Sequence, residues 1–235
     1  SSKRYIERMQ SRIIPDIKDA FFVDAGLTYD GRNTTAKTMT LTTNDGVGGS
    51  WNFTETDFTL TASASHFVVG DVGSEIHLSD NDGRIIRLAI TAYTSGTVVT
   101  VTANRNIPLE LRNTAKSAWS HARKNFAGVS HLEGKTLNVL TDGHVHPQVT
   151  VASGVFALDY CATVVHAGLP IEADFETLDL SIPQGETVRD KQKIIPAVRL
   201  LLEESRGIFA GKDADNLLEY KQRSSEKYDD PITLL

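Results

Sequence analysis

The sequence predicts a mainly β protein, with an antiparallel β-sandwich or barrel body that carries an inserted small β-domain and few short helices. Short runs rich in β-branched residues are separated by turn residues, and Asp82-Gly83 and Ser95-Gly96 each join two such runs. A pair of this kind between apolar runs is the strongest short-range signal for a hairpin. A second β-rich block contains three further turn pairs, at Glu133-Gly134, Asp142-Gly143 and Ser153-Gly154.

The order of these runs predicts a body interrupted by one insertion. Residues 3–9 alternate as a strand does, and residues 40–49 (TLTTNDGVGG) form a polar, glycine-rich stretch typical of a junction. Dense β-branched runs follow until Pro108. We therefore expect residues 1–45 and 107–235 to form a discontinuous β-rich body, and residues 46–106 to form an inserted small barrel or sandwich.

Two segments depart from the simple strand pattern. Residues 114–126 (TAKSAWSHARKNF) have a spacing that predicts a helix. Residues 194–205 (IIPAVRLLLEES) fit either a strand or a short helix, because an apolar run of this length does not define the period. The β-rich surroundings favour the strand.

Composition excludes several classes of protein. The 235 residues are 40% hydrophobic and 23% charged, and no apolar run approaches the roughly 20 residues of a membrane-spanning helix. We therefore expect no membrane insertion. The net charge of −6 argues against the basic field that nucleic-acid binding requires. The single cysteine, Cys161, cannot form an internal disulfide, and we expect it to be a small buried side chain.

The motif D-G-H-V-H-P is the best candidate for a metal site. His144 and His146 alternate along a strand, which places both imidazoles on one face, and Asp142 lies just before them. A metal needs a third and a fourth ligand, and the other histidines show no second cluster at ligand spacing. Because Asp142-Gly143 is also a hairpin signal, the sequence favours an exposed turn without metal.

Candidate catalytic groups are few. No G-x-S-x-G elbow is present. Four alternating carboxylates resemble the pairs that cleave glycosidic bonds, namely Glu172, Asp174, Glu176 and Asp179. Alternation with apolar residues is more typical of a solvated strand face, although a glycan-degrading enzyme stays an alternative. The sequence therefore predicts no catalytic, cofactor-binding or metal-binding residue, and no enzymatic activity.

The inserted module leaves a second alternative open. Carbohydrate-binding and receptor-binding modules display aromatic platforms, and the insert contains Trp51, Phe53, Phe58, Phe67 and Tyr93. Most of these fall at strand spacing, which favours a place in the core. A recognition role for the insert is the alternative that these residues leave.

Several phrases occur in one order that resembles a known family. They are KRYIERM, FFVDAGLTYDG, HLEGKTLNVLTDGHVHPQVTV, GLPIEADFETLDL, SRGIFAG and YKQRSSEKYDDPITLL. The chain resembles the tail nozzle or tail tubular proteins of short-tailed bacteriophages and related prophages, over residues of about 3–31 and 130–235. Residues 46–106 then correspond to a variable insertion.

The resemblance implies a structural subunit of the virion tail, assembled in the bacterial cytoplasm. It implies self-association into a ring, usually a hexamer, below the portal and adaptor, with fibres as further partners. Genomic DNA would pass through the channel without specific binding, and the acidic net charge suits such a lining because it repels phosphates. The resemblance also implies that sequence on both sides of this chain is missing, and it carries over no cofactor.

Overall fold

A computed structural model describes residues 13–43, 50–52, 57–171, 176, 199–201 and 208–220. Contacts divide the chain into two units, one ending at Pro170 and one beginning at Ile171. Within the described part of the first unit, twelve strands carry the fold: β1 Val23–Asp30, β2 Met39–Thr43, β3 Phe58–Ala62, β4 Glu75–Ser79, β5 Ile85–Ser95, β6 Val98–Ala103, β7 Ala115–Lys116, β8 Trp119–Ala127, β9 Thr136–Thr141, β10 His144–Thr150, β11 Val155–Ala162 and β12 Val164–Pro170.

Short connections and a small hairpin complete the described structure. Four single-turn 3₁₀ helices are described: Ile17–Asp19 precedes β1, and Val69–Asp71, Leu109–Leu111 and Ser130–Leu132 lie between strands. The second unit contains β13 (Phe209–Gly211) and β14 (Leu217–Glu219), which pair with each other and are exposed. No helix among the described residues is long and apolar enough to cross a membrane.

The first core lies inside a barrel. Its sheet runs in the order β11-β8-β4-β5-β6-β3-β2-β7, and its named pairs are antiparallel. β7 and β8 are separated by only two residues, yet β7 pairs with β2 while β8 pairs with β4. The sheet must therefore curve so that β7, at one end, comes close to the start of β8, which is next to the other end. The apolar faces of these strands fill the interior with side chains such as Leu41, Phe58, Leu60, Ile76, Leu88 and Val101.

The second core lies between a smaller sheet and the far end of the first. The smaller sheet runs in the order β1-β12-β9-β10. Its core cluster also contains residues of β8 and β11, namely Phe126, Phe156 and Leu158, together with Leu137, Val139 and Val165. β8 belongs to both cores, because its first half pairs with β4 and its second half pairs with β11.

These observations confirm the predicted fold class, a mainly antiparallel β protein with a sandwich body and only short helices. The predicted turns also lie between strands. At the β9–β10 turn, Asp142 and Gly143 have φ values of 49° and 85°, and at the β11 hairpin Ser153 and Gly154 have 56° and 73°. Two successive left-handed residues are the hallmark of a type I′ turn, whose twist suits a hairpin.

The helix predicted over residues 114–126 is wrong, because this segment forms β7 and β8. The first half of β8 pairs with β4 and its second half pairs with β11, so backbone groups along the strand find partners in distant strands. Tertiary pairing therefore outweighs the weak local preference for a helix.

The barrel uses residues on both sides of the predicted insert of 46–106. Its core takes Met39 and Leu41 from before that range, and Ile107, Leu111 and Trp119 from after it. In the second core, His131 Nε2 lies 2.8 Å from the carbonyl oxygen of Ala25, so segments from before and after that range are in contact there. The predicted strand at residues 3–9 and most of residues 194–205 lie outside the described residues.

Candidate functional site

The predicted metal motif forms a hairpin tied to a neighbouring strand. The Asp142 carboxylate accepts hydrogen bonds from the backbone N–H groups of Thr163 and Val164, each at 2.9 Å, and from the Thr163 hydroxyl. The backbone N–H of Asp142 donates to the Val164 carbonyl at 2.8 Å. Asp142 therefore anchors the β9–β10 turn to the start of β12.

The two histidines of the motif have different surroundings. His144 is exposed, whereas His146 is buried at 3% exposure, so the prediction of a solvated turn is wrong for His146. The Nδ1 atom of His146 lies 2.7 Å from the Pro147 carbonyl, and its Nε2 accepts from the Asp159 backbone N–H at 3.2 Å. Both ring nitrogens have protein partners. Across the described ranges, no three His, Cys, Asp or Glu side chains are grouped so as to hold a metal ion.

A buried polar network lies where the two cores meet, and the sequence did not indicate it. Its centre is His121 of β8, which is 3% exposed. His121 Nε2 lies 2.8 Å from the Ser74 hydroxyl, and that hydroxyl donates to the Asp71 carbonyl at 2.5 Å. Ser74 must then accept from His121 Nε2–H, which leaves His121 Nδ1 to accept from His66 Nε2 at 3.2 Å. We call these four residues with Arg123 and Tyr29 the junction network.

An ion pair forms the other half of the junction network. The Asp71 side chain is 3% exposed, and its Oδ1 accepts from Arg123 Nη2 at 2.7 Å. Its Oδ2 accepts from the Val68 backbone N–H at 2.8 Å. The Arg123 guanidinium lies 5.8 Å from the ring centre of Tyr29, and the Tyr29 hydroxyl donates to the His121 carbonyl at 2.8 Å. Strand β1 of the second core is thereby bonded to the middle of β8.

One glycine permits this close crossing of β1 and β8. A Cβ atom at Gly31 would lie 2.0 Å from the His121 carbonyl oxygen, which is far inside van der Waals contact. Gly31 also accepts a hydrogen bond at 2.8 Å from the backbone N–H of His121, and it donates one at 2.7 Å to the Thr163 carbonyl. The chain therefore passes from one core to the other through a crossing that has no room for a side chain.

The chemistry of the junction network favours structure over proton transfer. A serine next to a histidine resembles a nucleophile and its base, but a base must accept the hydroxyl proton. Here the Ser74 proton points to the Asp71 carbonyl, and the imidazole is the donor. Burial, with the Arg123 charge, lowers the pKa of His121 to about 3, so the ring is neutral at pH 7. Burial likewise raises the pKa of Tyr29 to about 12.

The other predicted residues have mostly structural surroundings. Phe58 and Phe67 are buried in the first core, Trp51 stacks on Phe58 with ring centres 5.9 Å apart, and Tyr93 packs against the same core. Phe53 lies outside the described residues. The aromatic residues that are described therefore support the core interpretation.

The remaining candidates are a thiol and the acidic segment. Cys161 is half-buried, lies 3.6 Å from the Gly73 carbonyl, and has its pKa raised to about 11 by burial. Glu176 is exposed, whereas Glu172, Asp174 and Asp179 lie outside the described residues. The carboxylate pair that a glycosidase would need is therefore not defined by the structure.

A groove opens beside the junction network. It has a volume of about 240 Å³ and is lined by residues 68, 70–74 and 123–125, which places it between the Val69–Asp71 turn and the middle of β8. The part of β8 that lines the groove is also where its pairing with β11 is irregular. The register of that pair shifts between Ala157 and Ala162.

Comparison with known proteins adds no family. No family model matches the sequence, and no curated protein matches it significantly.

Proposed function

We propose that this chain is a non-enzymatic structural subunit of a bacteriophage or prophage tail, where it forms part of a nozzle or tube ring around the DNA exit channel. The sequence resemblance over residues of about 3–31 and 130–235 supports this proposal. The observation that carries it is the way in which one strand, β8, belongs to both cores of the first unit. A wall subunit must resist deformation while a genome passes through the ring.

The junction of the two cores is suited to such a load. Strand β8 is continuous, so bending between the cores would break its pairing with β4 or β11. The ion pair of Asp71 and Arg123 and the hydrogen bond from Tyr29 to His121 add directional contacts across the same boundary. Polar groups buried in this way favour one packing geometry, because any other leaves them without partners.

The surface charge suits the proposed channel. The net charge of −6 disfavours retention of DNA phosphates, so genomic DNA would pass without specific binding. The partners in this proposal are further copies of the chain, most simply six in a ring, together with the adaptor and fibre proteins of the tail. The location is the virion tail, after assembly in the bacterial cytoplasm.

The mass and the shape of the purified chain test this function. Light scattering coupled to gel filtration, followed by negative-stain imaging, should reveal closed rings whose mass is an integer multiple of the subunit mass. Dilution controls distinguish rings from aggregates, because a closed ring keeps a discrete mass until it dissociates. Monodisperse monomers at every concentration and salt condition would contradict the proposal.

A further inference from the structure

The groove beside the junction network has a composition that points to a ligand. Its wall on the β8 side carries Arg123, Lys124 and Asn125, and its other wall is formed by residues 68 and 70–74. Asp71 is the acidic member of this lining, so the two cations leave an excess of one positive charge. Such an excess stands out on a chain whose net charge is −6.

The carboxylate of Asp71 already accepts hydrogen bonds from groups of the protein. One carboxylate oxygen of Asp71 accepts from Arg123 Nη2 and the other from the Val68 backbone N–H, and the side chain is 3% exposed. Arg123 uses one nitrogen for this contact, while 38% of its side chain remains exposed. A guanidinium has five N–H donors, and because the Nε of Arg123 is buried, the donors of this side chain that a ligand can reach are on its Nη atoms. The groove therefore offers more donors and more positive charge than its own residues use.

The groove has open space at two glycines and exposed valines around its edge. At Gly70 and Gly73 nothing lies within 4 Å of the position that a Cβ atom would occupy. Val68, Val69 and Val72 are exposed at 57%, 70% and 48% around the same turn. An apolar rim around a few convergent polar groups is the usual composition of a small-molecule site.

We infer that this groove binds a small organic anion, whose carboxylate contacts the exposed part of Arg123, with Lys124 as a second nearby cation, and whose neutral body lies against the valines. A planar guanidinium matches the two oxygens of a carboxylate, and a neighbouring ammonium adds attraction without a directional demand. The volume of about 240 Å³ corresponds to about eight water molecules, which suits a simple organic acid or one sugar acid. This inference does not depend on the proposed role in a tail.

Backbone amide shifts of the full chain test the site. Sodium glucuronate and sodium acetate are titrated separately into ¹⁵N-labelled protein, with sodium chloride at equal ionic strength and neutral glucose as controls. We expect saturable shifts at residues 69–74 and 123–125 for the carboxylates alone. Saturation with both acids identifies the carboxylate as the recognised group, whereas saturation with glucuronate alone identifies a sugar acid.

Two variants and one control variant locate the site. Lys124→Ala should weaken binding about tenfold, because it removes a nearby positive charge, whereas Lys135→Ala, at an exposed lysine just before β9 that does not line the groove, should leave it unchanged. Gly70→Leu should narrow the groove and weaken binding, and a Cβ atom at this position has nothing within 4 Å, so the backbone there can carry a side chain. Shifts that do not saturate by about 100 mM, that sodium chloride reproduces, or that survive Lys124→Ala would overturn the inference.

Discussion

Replacing Arg123 with methionine removes the cation that lies 2.7 Å from the buried Asp71 carboxylate. Methionine has a similar length and no charge, so the substitution keeps most of the packing and leaves Asp71 with a hydrogen bond from the Val68 N–H and with His121 Nε2 at 3.7 Å. Removal of one member of a buried ion pair costs about 3 to 5 kcal/mol. Because 38% of the Arg123 side chain is exposed, solvent screens the pair, and we expect about 2 to 3 kcal/mol.

Urea unfolding followed by tryptophan fluorescence measures this loss. For a chain of this size, a loss of about 2 to 3 kcal/mol corresponds to a fall in melting temperature of roughly 4 to 12 °C. The matched control is Arg84→Met, because Arg84 is 69% exposed and lies 3.5 Å from Asp82 in an exposed pair. We expect that control to change the free energy of unfolding by less than about 0.5 kcal/mol.

A double substitution separates the lost contact from the uncompensated charge. Asp71→Asn combined with Arg123→Met removes the buried charge, so it should recover part of the stability lost in Arg123→Met alone. If Arg123→Met proved as stable as the unaltered chain, the assignment of the ion pair as a structural element of the junction would be refuted. Equal losses in Arg84→Met and Arg123→Met would refute it as well.

Three further predictions concern the same region and the predicted hairpin. Gly31→Ala should cost about 3 kcal/mol or more in urea unfolding, because its Cβ would lie 2.0 Å from a backbone oxygen, whereas Gly70→Ala should be nearly neutral. Asp142→Ala should cost about 2 to 3 kcal/mol, since three donors lose their acceptor, and Asp159→Ala, at a side chain 80% exposed, should cost little. The folded chain holds His121 neutral with a pKa of about 3, so its contribution to stability is present above pH 6.5 and falls on acidification by up to about 1.4 kcal/mol per pH unit. His121→Gln should flatten that slope between pH 6.5 and 5, and an unchanged slope would contradict the assignment.

The hairpins were predictable because their signals are local. A turn with two successive left-handed residues favours glycine at the second position, and Asp142-Gly143 and Ser153-Gly154 have positive φ values at those places. The strand β8 was not predictable in the same way. Its residues have no strong preference, and its conformation follows from partners that are distant in sequence, such as Glu75 of β4 and Phe156 of β11.

The junction network was also beyond local reasoning. His66 and His121 are separated by 55 residues, and Asp71 and Arg123 by 52. No spacing in the sequence relates such residues until the strands are paired. By contrast, the motif of Asp142, His144 and His146 can be recognised in the sequence. The motif alone does not show that the backbone N–H of Asp159 donates a hydrogen bond to Nε2 of His146.

The predicted start of the inserted module, at residue 46, shows that a change in amino-acid composition does not always mark the edge of a structural unit. The glycine-rich stretch near residue 46 lies between β2 and β3, which pair with each other inside the barrel. The chain enters and leaves the barrel elsewhere, where Asn33 N–H donates to the Trp119 carbonyl at 3.0 Å and the Trp119 indole donates to the Lys37 carbonyl at 3.0 Å. Ends that lie this close are what an insertion requires. The chain leaves the barrel along β8, which continues without a break into the second core. The two cores therefore share a strand at the point where independent domains would have a linker.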